Sequence, residues 1–134
     1  MKKLLAIAAM VLIPMISFGQ SLYDRSGSYK GKVESNGSIY DRSGSYIGKV
    51  DRGSFYDRTG SYIGKTDGKS FYDRSGSYIG RIESDGRVYD RSGSYIGKVD
   101  GNGTIYDRTG SYKGKAQNVP QVTAAAMTFF YIFN

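Results

Sequence analysis

The sequence predicts a mainly β fold: repeated short antiparallel β-hairpins set around a pseudo-symmetry axis, propeller-like, with a short apolar helix at the C-terminus. Three observations carry this reading. The stretch Tyr-Asp-Arg-(Ser/Thr)-Gly-Ser-Tyr is written six times, at residues 23–29, 40–46, 56–62, 72–78, 89–95 and 106–112. Its first tyrosines, at 23, 40, 56, 72, 89 and 106, are spaced by 16 or 17 residues, and self-similarity at a fixed period marks a repeat architecture. Each period holds two turn signals separated by short runs rich in aromatic and β-branched residues, the pattern of strand and return strand.

Residues 1–19 do not belong to that domain. Lys2 and Lys3 precede an apolar run over residues 4–16, and Ser17-Phe18-Gly19 places small residues where signal peptidase reads. The expectation is a signal peptide at 1–19, cleavage before Gln20, and one β-hairpin repeat domain over 20–134. The run is too short for the ~20 apolar residues of a membrane-spanning helix, which weighs against an N-terminal anchor. Net charge is +7, but an Asp stands beside each repeated Arg, the pattern of a solvated surface more than of a polyanion-binding one. Nucleic acid is not an expected partner. Cysteine is absent, so neither a disulfide nor a lipidated cysteine enters the argument.

Within the unit, Asp41-Arg42-Ser43-Gly44 reads as a turn: the Asp side chain can accept from N–H groups further on, and Gly supplies a positive φ. Residues 45–50 read as a strand, Gly53 marks a second turn, and residues 54–57 read as the return strand, for an antiparallel meander of about twelve strands. The second turn carries the one-residue indel and is assigned to an outer rim. Strict alternation puts Tyr46, Gly48 and Val50 on one face and Ile47 and Lys49 on the other. Glycine recurs at 31, 48, 64, 80, 97 and 114; it weakens a strand, so its recurrence predicts close approach of an aromatic ring from the strand across or the next hairpin. Two tyrosines per unit are expected to supply most of the packing area. Ile47, Ile63, Ile79 and Ile96 follow the second tyrosine in the inner units, whereas Lys30 and Lys113 stand there in the outer two. Lysine blunts an exposed edge strand, so this predicts four apolar hairpins flanked by polar end units; a two-lysine binding site is the alternative.

After Lys115 the unit fails. Asn118 reads as an N-cap with Pro120 in the first turn, and residues 121–133 carry an i, i+3, i+4 apolar stripe. The apolar segment 119–134 is read as a short helix that plugs or lids the repeats, with a membrane-touching anchor or subunit interface as the alternatives. Expected strands of four to six residues fall short of the ~9–11 of a membrane-spanning strand.

The chain has no histidine, which removes the commonest general base and Ser-His-Asp chemistry. Sixfold repetition of Asp-Arg-Ser offers no single asymmetric constellation, so no catalytic residue, cofactor or metal is expected; Asp100-Gly101-Asn102-Gly103 only opens like a calcium loop. The one face the repeat suggests for a ligand is Arg42, Arg58, Arg74 and Arg91 with Tyr46, Tyr62, Tyr78 and Tyr95, residue types suited to glycans or protein partners.

The unit Tyr-Asp-x-(Ser/Thr)-Gly…Ile-Gly-Lys-Val-(Glu/Asp)-x-(Asn/Asp)-Gly resembles that of the four-fold β-flower proteins of Bacteroidota. The apolar segment 124–133 is similar to their C-terminal segment. The resemblance implies a small, usually exported protein of short hairpins around an axis, and no activity for any residue. It is similar, more loosely, to the longer YD repeats of Rhs-type shell proteins. The expected function is a non-catalytic exported structural or interaction module of the cell envelope, periplasmic, outer-surface or secreted. The alternative is a carbohydrate- or envelope-polymer-binding protein using the Arg/Tyr face.

Overall fold

The computed structural model describes residues 20–133. The expected signal peptide at 1–19 lies outside the described residues, as does Asn134. Twelve strands follow one another as a meander: β1 (Gln20–Tyr23), β2 (Tyr29–Val33), β3 (Ser38–Asp41), β4 (Tyr46–Asp51), β5 (Ser54–Asp57), β6 (Tyr62–Thr66), β7 (Ser70–Asp73), β8 (Tyr78–Ile82), β9 (Arg87–Asp90), β10 (Tyr95–Val99), β11 (Thr104–Asp107) and β12 (Tyr112–Gln117). Each pairs antiparallel with its neighbours, and β1 pairs with β12 through Ser21–Gln117, Leu22–Ala116 and Tyr23–Lys115, so the sheet closes into a barrel of six hairpins. Closure corrects the expectation of four hairpins with partial end units. β2 and β12 both border β1, and Lys30 and Lys113 blunt no edge.

The Asp-Arg turns make one rim. In each, the Asp carboxylate clamps its own turn: Asp41 Oδ1 accepts from Ser43 N at 2.9 Å, Ser43 Oγ at 2.7 Å and Ser45 N at 3.0 Å. Gly44 takes φ 88°, which closes the turn through Gly44 N donating to Asp41 O at 3.0 Å. The turns that carry the indel form the opposite rim.

Strict alternation fails inside every hairpin. Ile39 faces Gly48 while Tyr40 faces Tyr46, so Ile47 is an extra residue in a β-bulge, and the same shift recurs in the other five hairpins. The bulge turns Tyr46 outward, 38% exposed, while Ile47 packs against the core and Gly48 is buried. The core is therefore not built from tyrosine. It consists of Leu22, Ile39, Phe55, Phe71, Val88 and Ile105 from the odd strands, with Val33, Ile82, Val99 and Ala116 from the even ones.

An eight-stranded barrel is just filled by its own side chains, and diameter grows with strand number. Twelve strands leave a lumen, and the C-terminal segment occupies it. It enters at the indel rim, forms helix α1 (Gln121–Ala125), and continues as a π-helix over Ala126–Phe130. Ala124, Ala125, Ala126 and Met127 are fully buried: a helix hemmed in on all sides needs short side chains on every face. Asn118 is not its N-cap, because Asn118 lies at φ 61° and Pro120 holds the cap position without a side-chain cap bond. Among the described residues, no helix is long and apolar enough to cross a membrane.

Candidate functional site

The lumen is closed by a fan of tail side chains. A Cβ at Gly97 would stand 2.5 Å from Phe129 Cζ, one at Gly80 2.5 Å from Phe130 Cζ, and one at Gly48 2.8 Å from Ile132 Cδ1; one at Gly64 would meet the Tyr131 ring. Phe129, Phe130, Tyr131 and Ile132 thus serve four successive hairpins in order. Phe133 reaches the seam, where Lys30 Nζ lies 4.8 Å from its ring centroid. Six hairpins require about 60° between neighbours, whereas an α-helix advances about 100° per residue. The π-type winding, with Tyr131 N donating to Ala126 O at 2.9 Å, reduces that advance. Of the six recurrent glycines, Gly64, Gly80 and Gly97 answer aromatic rings, which come from the tail and not, as expected, from a neighbouring hairpin; Gly48 meets Ile132, and Gly31 and Gly114 meet only backbone of the facing strand. Phe130 stacks on Phe71 at 4.5 Å and Tyr131 on Phe55 at 4.8 Å. Tyr131 Oη is placed to donate its one proton to Tyr72 O at 2.7 Å, with Lys65 O also in reach at 2.9 Å. Burial of that hydroxyl pushes its pKa up to about 12.

With the interior filled, the outer wall and the two rims are the surfaces open to a partner, and the indel rim holds an open cavity of about 380 Å³ between the turns at 34–37 and 51–53 and the tail at Pro120 and Thr123. The four tyrosines expected to face a ligand lie on this wall. Tyr46 packs edge-on against Tyr40 at 5.9 Å, Tyr62 against Tyr56 at 6.0 Å, Tyr78 against Tyr72 at 6.3 Å and Tyr95 against Tyr89 at 5.9 Å. The edge-to-face geometry is the favoured one for aromatic pairs and presents a standing ring to solvent.

The four arginines sit one level above, on the rim, and do not join the tyrosines in a single pocket. Each arginine serves the Asp of the preceding turn. Arg42 Nη2 lies 3.6 Å from Asp24 Oδ2, and Arg25 Nη2 lies 3.7 Å from Asp107 Oδ2 across the seam. Arg58, Arg74 and Arg91 add to the lowering of the pKa of Asp41, Asp57 and Asp73, behind the larger effect of the Ser or Thr hydroxyl and backbone N–H donors of each turn. Arg91 Nε also donates to Tyr78 O at 3.2 Å.

A second set of cations belongs to the wall and was missed as site residues. Lys32, Lys49, Lys65, Arg81 and Lys98 stand opposite Tyr40, Tyr56, Tyr72, Tyr89 and Tyr106 in the register. Arg81 Cζ lies 4.4 Å, Lys32 Nζ 5.3 Å and Lys65 Nζ 5.8 Å from the facing ring centroid, within cation–π range. Alternation from the buried glycine one residue earlier was the signal that could have found them. Carboxylates hold some in place: Arg81 Nε donates to Glu83 at 2.6 Å and Lys32 Nζ to Glu34 at 2.8 Å, and each raises the pKa of its cation.

Among the described residues, no group of three acidic, histidine or cysteine side chains could hold a metal ion. The turn at residues 100–103 uses its oxygens internally: Asp100 Oδ1 lies 3.5 Å from Lys98 Nζ, and Asn102 Oδ1 accepts from Thr104 N at 3.0 Å.

A family model described as 5-fold beta-flower protein matches residues 19–133. The β-flower kind expected from the repeat is right, and the expected four-fold number is corrected to the five-fold family. The ring of this chain holds six hairpins. No curated protein and no solved structure matches the chain.

Proposed function

The chain belongs to the 5-fold beta-flower family, and from that membership and the geometry of its wall we propose that it is a non-catalytic, exported structural or interaction module of the cell envelope. The observation that carries this reading is the filled lumen. Ala124–Met127 and the tail fan occupy the space that a ligand-binding barrel would keep open, which leaves recognition to the outside. There the same motif, a tyrosine pair beside a cation, recurs around the ring. Repetition of a modest contact multiplies affinity when the partner is itself repetitive. Lys2, Lys3, the apolar run over 4–16 and the small residues at 17 and 19 support export.

A second reading is favoured by the standing tyrosine rings flanked by Lys and Arg: an envelope polysaccharide partner, stacked on Tyr46, Tyr62, Tyr78 and Tyr95 and steadied by the neighbouring cations. One experiment separates the two. Purified chain is applied to isolated envelopes and to an array of neutral and acidic glycans, beside a variant with those four tyrosines changed to serine. Envelope binding lost in the variant without any glycan signal supports a protein partner. Matched loss on both supports the polysaccharide. Equal binding by both chains everywhere overturns the tyrosine wall as the recognition surface. The processed mass tests export separately: a chain starting at Gln20 in envelope or medium is expected, and an unprocessed cytoplasmic chain overturns that part.

A further inference from the structure

The ring is broken at one place in its chemistry. Four hairpins place isoleucine at the bulge, Ile47, Ile63, Ile79 and Ile96, each packed against the core. The two hairpins that meet at the seam place Lys30 and Lys113 there instead. The edge-strand explanation for these lysines fails, because the sheet is closed and neither strand is an edge. The two side chains line one small cavity of about 20 Å³ with Leu22, Tyr23, Ile105, Gly114, Thr128 and Phe133, and a third lysine, Lys115, borders it. Both are half-buried. Among the described residues, neither forms an ion pair with a carboxylate, whereas Lys32 and Lys98 on the outer wall each do. Lys30 instead lies over the Phe133 ring at 4.8 Å. Burial and the nearby charge of Lys113 lower the pKa of Lys30, against a smaller opposing effect of the Asp24 carboxylate, which lies beyond ion-pair distance. Two like charges drawn together against an apolar floor cost stability, and isoleucine shows what the same backbone position accepts without that cost.

We propose that Lys30 and Lys113 form an oxyanion site at the barrel seam, where a single carboxylate or phosphate head caps the small cavity with its oxygens between the two ammonium groups, above Phe133. The cavity has room for about one water, so a head group sits at its mouth with an oxygen directed inward, and a polymer segment does not enter. The two ammonium groups supply hydrogen bonds to both oxygens of a carboxylate or to two oxygens of a phosphate. The site is single, unlike the repeated wall, and does not depend on the reading of the wall as a recognition surface.

The test compares the native chain with the double variant Lys30→Ile/Lys113→Ile, which restores the residue of the other four hairpins and is expected to fold. Thermal midpoints are measured at pH 7 and fixed ionic strength in sodium chloride, sodium acetate and sodium phosphate. The native chain is expected to melt several degrees higher in acetate and phosphate than in chloride, saturating with concentration, and the variant to melt alike in all three. A response to acetate alone assigns a carboxylate head, and a response to phosphate alone a phosphate head. Equal responses in native chain and variant overturn the site as a general salt effect. A native chain indifferent to all three anions overturns it as well.

Discussion

Replacing Gly80 by alanine probes the contact on which the plug depends. The new Cβ would meet Tyr89 O across the hairpin, a backbone atom held by the ladder, and would stand 2.5 Å from Phe130 Cζ and 2.6 Å from Phe130 Cε1. The φ of 159° at Gly80 is one that L side chains rarely adopt, so backbone strain adds to the steric cost. Overpacking of this kind costs roughly 1–3 kcal/mol. Pushing Phe130 off Phe71, now stacked at 4.5 Å, adds about 0.5–1.5 kcal/mol. A loss of about 2–4 kcal/mol corresponds to about 8–16 °C in the midpoint of a domain of this size. Gly101→Ala is the control: no atom lies within 4 Å of its added Cβ and its φ is ordinary, so it should melt within about 2 °C of the native chain. Both are read by circular dichroism melting, with the cycle completed in a Phe130→Ala background. There Gly80→Ala should cost less, because one of its two clashes is gone. Melting of Gly80→Ala within 2 °C of the Gly101→Ala control, or full additivity with Phe130→Ala, would refute the assignment of Gly80 as the seat of that ring.

Three further outcomes are expected. Ending the chain after Asn118 removes the plug and should leave a protein without a cooperative melting transition, while the milder Met127→Ala, at a fully buried position, should lower stability by roughly 2–5 kcal/mol; a truncated chain that melts like the native one refutes the plug. The rim carboxylates Asp24, Asp41, Asp57, Asp73, Asp90 and Asp107 have pKa values lowered first by their Ser or Thr hydroxyl donors. Their stabilising contribution is present above the unfolded carboxylate value and lost as pH falls through the lower folded value. The midpoint should therefore hold from about pH 7 to 5 and drop below about pH 4, and the gap between native chain and Asp41→Ala should narrow in acid. Tyr131→Phe removes a hydroxyl that donates to Tyr72 O, with Lys65 O also in reach, and should cost about 1 kcal/mol or somewhat more in denaturant titration. With a folded pKa of about 12, its contribution is intact below the unfolded value near 10 and lost as pH rises from there towards 12, which an alkaline melting series in both chains would show.

What the chain determines locally was legible residue by residue. The Asp41-Arg42-Ser43-Gly44 turn closes through atoms at most four positions apart, and the strands on either side follow from two turns per period. The six copies of the repeated stretch, the apolar tail and its separation from the repeats were readable for the same reason, but not that all six copies close the ring as full hairpins. The assignment of faces was not. Alternation counts residues, and the bulge at Ile47 inserts one, which sends the tyrosines to the outer wall and leaves the interior to Ile39, Phe55, Phe71 and their equivalents. Nothing within a single hairpin distinguishes an aromatic ring that packs inward from one that stands outside. That choice is made by the lumen, where twelve strands enclose a space that only the alanine-lined helix fits. Closure through Leu22 and Ala116 joins residues almost a hundred positions apart, and it alone turns two apparent edge lysines into a buried-facing pair at a seam. The tail's own periodicity predicted an α-helical stripe, but the ring asks for one side chain per hairpin, and the chain unwinds first into a π-helix that brings Phe129 and Phe130 to Gly97 and Gly80 and then out of helix altogether, where Tyr131 and Ile132 meet Gly64 and Gly48. Local hydrogen bonding decides a turn within a few residues; which face is inside is a property of the closed ring, because only closure defines an inside.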